Sequence, residues 1–284
     1  MLSVPPRTPT RVPPDRRITA DPPHSLDRSI EGENTPSKLS IKRAQKTFIT
    51  EYSSLDLLRS CGSTYIRAAR RWNRCECPLC SSCSRQRANR ASADLRERSA
   101  DYGTTIAMTL SLSTPGMSLS ASWDAQDLVR TKFIGSSWLR THIDGWRWFS
   151  ELTGTSNAWH PHSAFILFSR NILSPTELEE LREECTSRWV TMARNNGYNA
   201  DASSQEFERI VRTPGRALSY ASKGMMATHS DSRTPGAIFN DAAVRGDADA
   251  AADWLEIEHA SAGRHWTAPG GSLRTTRTQH KSDR

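Results

Sequence analysis

Trp146-Arg147-Trp148-Phe149-Ser150-Glu151-Leu152-Thr153, a turn over 154–158, and then Trp159-His160-Pro161-His162-Ser163-Ala164-Phe165-Ile166-Leu167-Phe168 is the stretch from which the fold is read. The first run follows Gly145 and is rich in aromatic residues, and the second is a near-continuous apolar run, so both read as strands. A short polar turn containing Gly154 between them makes a β-hairpin. Residues two apart on a strand share a face. His160 and His162 therefore offer two imidazoles on one side, where they could hold one metal ion, and the hairpin folds Glu151 back alongside them. Paired histidines taken alone are more often surface or core residues. Trp146 and Trp148 have two readings as well: rings that stack on unpaired bases, or, more commonly in a strand, core.

Residues 104–113 alternate Ile106, Met108, Leu110 and Leu112 with Thr105, Ala107, Thr109 and Ser111, the period of a half-buried strand. Thr114-Pro115-Gly116 ends it, and a helix is expected over 122–142. Ser174-Pro175-Thr176-Glu177 combines an N-cap serine, a proline at the first helical position and a capping-box glutamate. The helix it opens should bury Leu178, Leu181, Cys185, Trp189 and Met192 and end at Asn195-Asn196-Gly197. A short strand over 207–211 follows, and Pro214-Gly215 introduces a helix carrying Tyr220 and Lys223. This order predicts an α+β fold, an antiparallel sheet with helices on one side.

The remainder of the 284 residues is unlike this segment. Residues 1–45 hold eight of the fifteen prolines and almost no aromatic residue, and read as a disordered Pro/Arg-rich tail. Residues 46–100 read as a cysteine-rich zinc module followed by a basic helix over 84–98. Four of the six cysteines fall within Cys75-Glu76-Cys77-Pro78-Leu79-Cys80-Ser81-Ser82-Cys83, too tight for an ordinary disulfide framework, which favours metal ligation. Four thiolates drawn from Cys61, Cys75, Cys77, Cys80 and Cys83 could hold a structural zinc, with Cys77 and Cys80 as the pair picked out by CxxC spacing. The alternatives are free reduced thiols or a redox CxxC.

Lys plus Arg number 38 against 31 Asp plus Glu, a net charge of +7, which suits a polyanion such as nucleic acid. Arg71, Arg74, Arg85 and Arg87, among other arginines around the cysteines, could meet a DNA backbone or form a solvated face. No apolar run approaches the roughly 20 residues of a membrane span, and no signal segment opens the chain, so a cytoplasmic protein without a membrane partner is expected.

Tyr220 and Lys223 lie three residues apart on one helical face, the arrangement needed for attack on a phosphodiester. The phenolate is the nucleophile, and a cation stabilises both it and the charged transition state. A metal held by the histidines would polarise the phosphate. The bland alternative is a packed tyrosine beside a solvated lysine. The chain has only six lysines, and this one is alone between Lys132 and Lys281. Arginine would serve a generic surface role equally well, but it does not replace a compact ammonium in a tight site.

From about Cys61 to Arg274 the sequence resembles the rolling-circle replication initiators of bacterial plasmids, within the HUH endonuclease class. The resemblance is carried by Cys77-Pro78-Leu79-Cys80, by Thr105-Ile106-Ala107-Met108-Thr109-Leu110 and by Glu151-Leu152-Thr153 with Trp159-His160-Pro161-His162. Tyr220-Ala221-Ser222-Lys223 and a closing segment with Thr234-Pro235, Gly246-Asp247-Ala248 and Gly263-Arg264 extend it. It implies a nicking domain of split β-α-β type over 101–230 and a C-terminal helical segment with a basic tail over 231–284. Tyr220 would cut one strand at a single-stranded or hairpin origin, stay joined to the 5′ phosphate and leave a 3′ hydroxyl for a host polymerase, with a host helicase as partner. Magnesium or manganese would be bound by His160, His162 and Glu151. Two departures stand out: Ala164 occupies the place of a third histidine, and Arg216 that of a glutamate tied to termination in some relatives. Two other readings are a catalytically degenerate relative kept for DNA binding or regulation, and a zinc-containing transcription factor with no nuclease ancestry.

Overall fold

The computed structural model describes residues 37–154, 158–210 and 233–274, and all structural statements concern these. Tyr220, Lys223 and Arg216 lie outside them, as do residues 1–36.

The expected hairpin is present. Strands β4 (Gly145–Thr153) and β5 (His160–Ser169) pair antiparallel with Glu151 opposite His162 and Thr153 opposite His160. Gly154 has φ +110°, and a Cβ there would stand 2.0 Å from the Ala158 carbonyl oxygen, so this corner requires glycine. Gly154→Ala is expected to cost about 1–3 kcal/mol, checked by thermal denaturation.

Strand β3 (Thr104–Ser111) pairs with β5 on the side away from β4 and with β6 (Glu206–Arg209) on its own far side. The connection from β3 to β4 runs through helices α4 (Leu119–Gly135) and α5 (Ser137–His142), and that from β5 to β6 through α6 (Pro175–Asn195). Each β-α-β unit is thus split by a strand of the other, as expected. The single helix expected over 122–142 is divided at Ser136, whose hydroxyl caps α5 through the Leu139 N–H. Ser174 and Glu177 form the full capping box.

The α4–α6 layer covers one sheet face. Ala125, Val129 and Phe133 of α4, Leu139 of α5 and Leu181, Cys185 and Trp189 of α6 pack on Met108, Leu110, Trp146, Trp148, Phe165 and Leu167. Trp146 and Trp148 are therefore core residues, Trp148 lying under the Arg130 guanidinium at 3.7 Å. They are not base-stacking platforms.

Helices on one side only is not what the chain builds. Helix α3 (Ser81–Ser99) sets Ala91 and Leu95 against Phe149, Ala164, Ile166 and Phe168 on the opposite face, and Asp94 holds Arg147 at 3.0 Å. Apolar residues are sparse on this arginine-rich helix, so its small buried stripe is easily read as fully solvated.

Two boundaries also move. Helix α1 (Lys38–Tyr52) begins inside the expected tail, because Ile41, Ala44 and Phe48 supply one helical face. The C-terminal segment is not only helical. After α7 (Pro235–Asn240) and α8 (Ala248–Ser261), β7 (Thr267–Gly271) adds a fifth strand beside β4, in the order β6-β3-β5-β4-β7. Thr-Ala-Pro-Gly-Gly has little strand propensity and takes its place from a close fit: a Cβ on Gly270 would stand 2.1 Å from the Trp146 indole. Nor is 46–100 a separate domain. Leu58, Leu79, Cys80 and Cys83 share one core with Phe48, Trp123, Trp159, Phe239, Trp254 and Trp266, and the described residues from Lys38 onward belong to one compact unit. No helix among the described residues is long and apolar enough to cross a membrane.

Candidate functional site

His160, His162, Ala164, Ile166 and Phe168 alternate along one face of β5, the α3 side, while Ser163, Phe165 and Leu167 face α4 and α6. His160 is part of the strand, not a preceding loop. Pro161 is accommodated because the β3 ladder begins only at His162, so at Pro161 only β4 is alongside. Trp159, which fixes the entry to this strand, is buried and donates its indole N–H to Glu256 of α8 at 2.9 Å.

Cross-strand partners share a face, so Glu151 and Thr153 on β4 and Ser111 on β3 surround the histidines at the polar end of a face that is apolar lower down. The two imidazole planes are 9° apart with centroids separated by 6.5 Å. Nε2 of His162 is 3.1 Å from the Thr153 hydroxyl, and its buried Nδ1 has no hydrogen-bond partner among the described residues. Burial, helped by the neighbouring His160, lowers the His162 pKa to about 4, so the ring is neutral at physiological pH and keeps a lone pair available. The donor atoms of His160, His162 and Glu151 are not gathered within 4.8 Å of one another, so the trio shares a face without closing round a point. The Thr153 contact had no counterpart in the sequence reading, although hairpin register alone would place it opposite His160.

A closed donor set occurs elsewhere. Among the described residues the one group of three or more His, Cys, Asp or Glu ligand atoms within 4.8 Å of one another is Cys61, Cys75, Cys80 and Cys83. Cys83 Sγ lies 3.6 Å from Cys61 Sγ and from Cys75 Sγ, and Cys80 Sγ lies 3.6 Å from Cys61 Sγ. All are free cysteines. A tetrahedral ion with metal–sulfur bonds of about 2.3 Å has sulfur–sulfur edges of about 3.8 Å, so the spacing fits an S4 site. The residues come from the end of α2 (Asp56–Ser60), the loop before α3 and the first turn of α3.

Cys77 stands outside this set, a correction to the CxxC reading. Glu76 takes a left-handed φ of +52°, and the Cys77 N–H turns back to Cys75 Sγ at 3.4 Å. Cys77 serves the site through its backbone. The productive CxxC is Cys80-Ser81-Ser82-Cys83, which overlaps the other in the sequence. A hydrogen bond from the Cys75 thiol draws the Cys80 pKa down to about 5, against its burial, with backbone N–H groups of Cys83 and Ser82 contributing. The same bond pushes Cys75 up, and burial raises Cys61. A cation held by the cluster would have to offset the upward shifts of Cys61 and Cys75.

Of the arginines expected to meet DNA, Arg71, Arg74 and Arg85 are exposed, while Arg87 donates to the Glu76 carbonyl at 3.0 Å and helps fix the cysteine loop. Comparison with protein-family models, with curated proteins and with solved structures finds no match.

Proposed function

We propose that this chain is a DNA-nicking replication initiator of the rolling-circle type, in which Tyr220 attacks a phosphodiester of an unpaired strand. The observation that carries the reading is the register of β4 on β5: a glutamate directly opposite a neutral histidine, with a second histidine on the same face. The flanks of the segment that holds Tyr220 and Lys223 add support. Ile210 donates to the Thr105 carbonyl at one end of the sheet, and the described chain resumes at Arg233, whose carbonyl accepts from Gly154 at the histidine end.

In the proposed step the Tyr220 oxygen bonds to phosphorus as the bond to the 3′ oxygen breaks. The phenol gives up its proton, the departing oxygen takes one up, and Lys223 offsets the charge that builds on the phosphate. Magnesium or manganese at His160, His162 and Glu151 would supply Lewis-acid polarisation when bound. The donor types suit such an ion, and ligation through His162 Nε2 would require that atom to give up its Thr153 contact. We assign zinc to the four-cysteine cluster, where soft donors and a closed tetrahedron favour it.

The second reading, a relative retained for DNA binding alone, is favoured by Ala164. It is buried at the position a third histidine would take, among Phe149 and Ile166. Ala164→His is expected to raise adduct formation several-fold at low manganese while lowering stability by about 1–3 kcal/mol through overpacking. The proposal is tested with a 3′-labelled pool of randomised single-stranded oligonucleotides and manganese. A protein–DNA adduct on a denaturing gel supports nicking, and binding without an adduct favours the second reading.

A further inference from the structure

Between Cys61 and Cys75 the chain makes a two-stranded ribbon, β1 (Tyr65–Ile66) and β2 (Arg71–Trp72), closed by a 3-10 turn at Arg67–Ala69. Tyr65 pairs with Trp72 and their rings meet edge to face at 5.5 Å, so both lie on one side of the ribbon. Trp72 is 52 % exposed, Tyr65 47 % and Ile66 40 %, and these are three of the eight large exposed hydrophobic residues in the described chain. Tryptophan is seldom so open, and an aromatic pair exposed on a two-stranded ribbon has no core to serve. The residues around it are Arg67, Arg70, Arg71 and Arg74, all exposed, and no acidic residue occurs over 64–74.

A ribbon this short is not stable by itself. Asn73 holds it, accepting from the Thr64 N–H at 3.0 Å and donating to the Ser60 carbonyl at 2.7 Å through its side chain, while its backbone N–H donates to the Thr64 carbonyl at 2.7 Å. Its two roots, Cys61 and Cys75, both belong to the four-cysteine cluster. The platform is therefore rigid at its base, and its exposed rings are preorganised.

We propose that this ribbon binds an unpaired nucleic-acid strand, with Trp72 and Tyr65 stacking on bases and Arg67, Arg70, Arg71 and Arg74 meeting phosphates. That the strand is DNA rests on the proposed nicking function. The stacking assignment does not. Exposed aromatic faces on a segment that carries four exposed arginines and no acidic residue match a polymer that presents π-faces and phosphates together. An apolar protein partner would not call for the four arginines.

The test is fluorescence anisotropy of full-length protein with labelled oligothymidylate of about 20 nucleotides, and with an abasic strand of equal length, without added magnesium or manganese. Trp72→Ala is expected to weaken oligothymidylate binding roughly 5- to 100-fold, Tyr65→Ala less, with abasic-strand binding unchanged and Trp72→Phe restoring most of the loss. Cysteine-bound metal content and circular dichroism verify that the variants are folded. Oligothymidylate binding unchanged in both alanine variants overturns the proposal, as does an equal loss on the abasic strand. A change of oligomeric state with DNA binding intact also overturns it and makes the ribbon a protein interface. Because no cleavage is read, absence of nicking would leave this result standing, and loss of this result would leave nicking standing.

Discussion

Tyr220→Phe is expected to abolish covalent attachment to DNA, a loss of at least roughly a thousandfold, while binding of the same strand changes by less than about twofold. Phenylalanine keeps the ring but has no oxygen to bond to phosphorus, so nothing at this position can form the intermediate. The asymmetry between chemistry and binding is what identifies a nucleophile. A residue that only packed would lose stability and binding together. Denaturing gels with the 3′-labelled pool, beside anisotropy on the same strands, separate the two outcomes. Attachment retained in Tyr220→Phe would assign the chemistry to another of the five tyrosines.

The second large effect concerns the cysteines. One equivalent of zinc per chain is expected by elemental analysis, and Cys80→Ser should lose it, whereas Cys77→Ser should retain it. The Cys80 thiol is held toward its anion, and its Sγ lies 3.6 Å from that of Cys61, while Cys77 contributes a backbone N–H to Cys75. Losing the ion leaves three thiols crowded in a core that also contains Leu58 and Leu79, so unfolding is expected to become easier by several kcal/mol, roughly the scale of losing a structural metal or disulfide. Zinc binding must expel the protons of the raised thiols, Cys75 and Cys61 among them, so affinity should fall as pH is lowered. Retention of zinc in Cys80→Ser, or its loss in Cys77→Ser, would overturn this ligand set.

The hairpin was legible because an aromatic run after Gly145, a near-continuous apolar run and a turn at Gly154 between them agree, and folding one on the other brings Glu151 beside the histidines. The α6 helix was legible for a similar reason: the Ser174 capping box and the spacing of Leu181, Cys185 and Trp189 agree. Where sequence reading failed, tertiary context decided. Gly270 and its neighbours have poor strand propensity yet form β7, because Trp146 needs a surface without a side chain. Helix α3 hides its packing face in Ala91 and Leu95, too few residues for periodicity to show. The overlapping CxxC pairs were indistinguishable by spacing, and the left-handed turn at Glu76 decided between them. Trp72 and Tyr65 escaped notice because exposure is not encoded in a residue's type. His160, His162 and Glu151 were correctly placed on one face, but the Thr153 contact that occupies His162 is a side-chain matter that strand pattern does not specify.

The most direct test of the nicking assignment is to digest the protein–DNA adduct with nuclease and trypsin and weigh the peptide over 217–223. Cleavage after Arg216 and Lys223 releases Ala217-Leu218-Ser219-Tyr220-Ala221-Ser222-Lys223 with the candidate nucleophile at its centre. A nucleotide phosphate on Tyr220 is the predicted result. An unmodified peptide from protein that still binds the strand, or a nucleotide on another residue, would contradict the assignment.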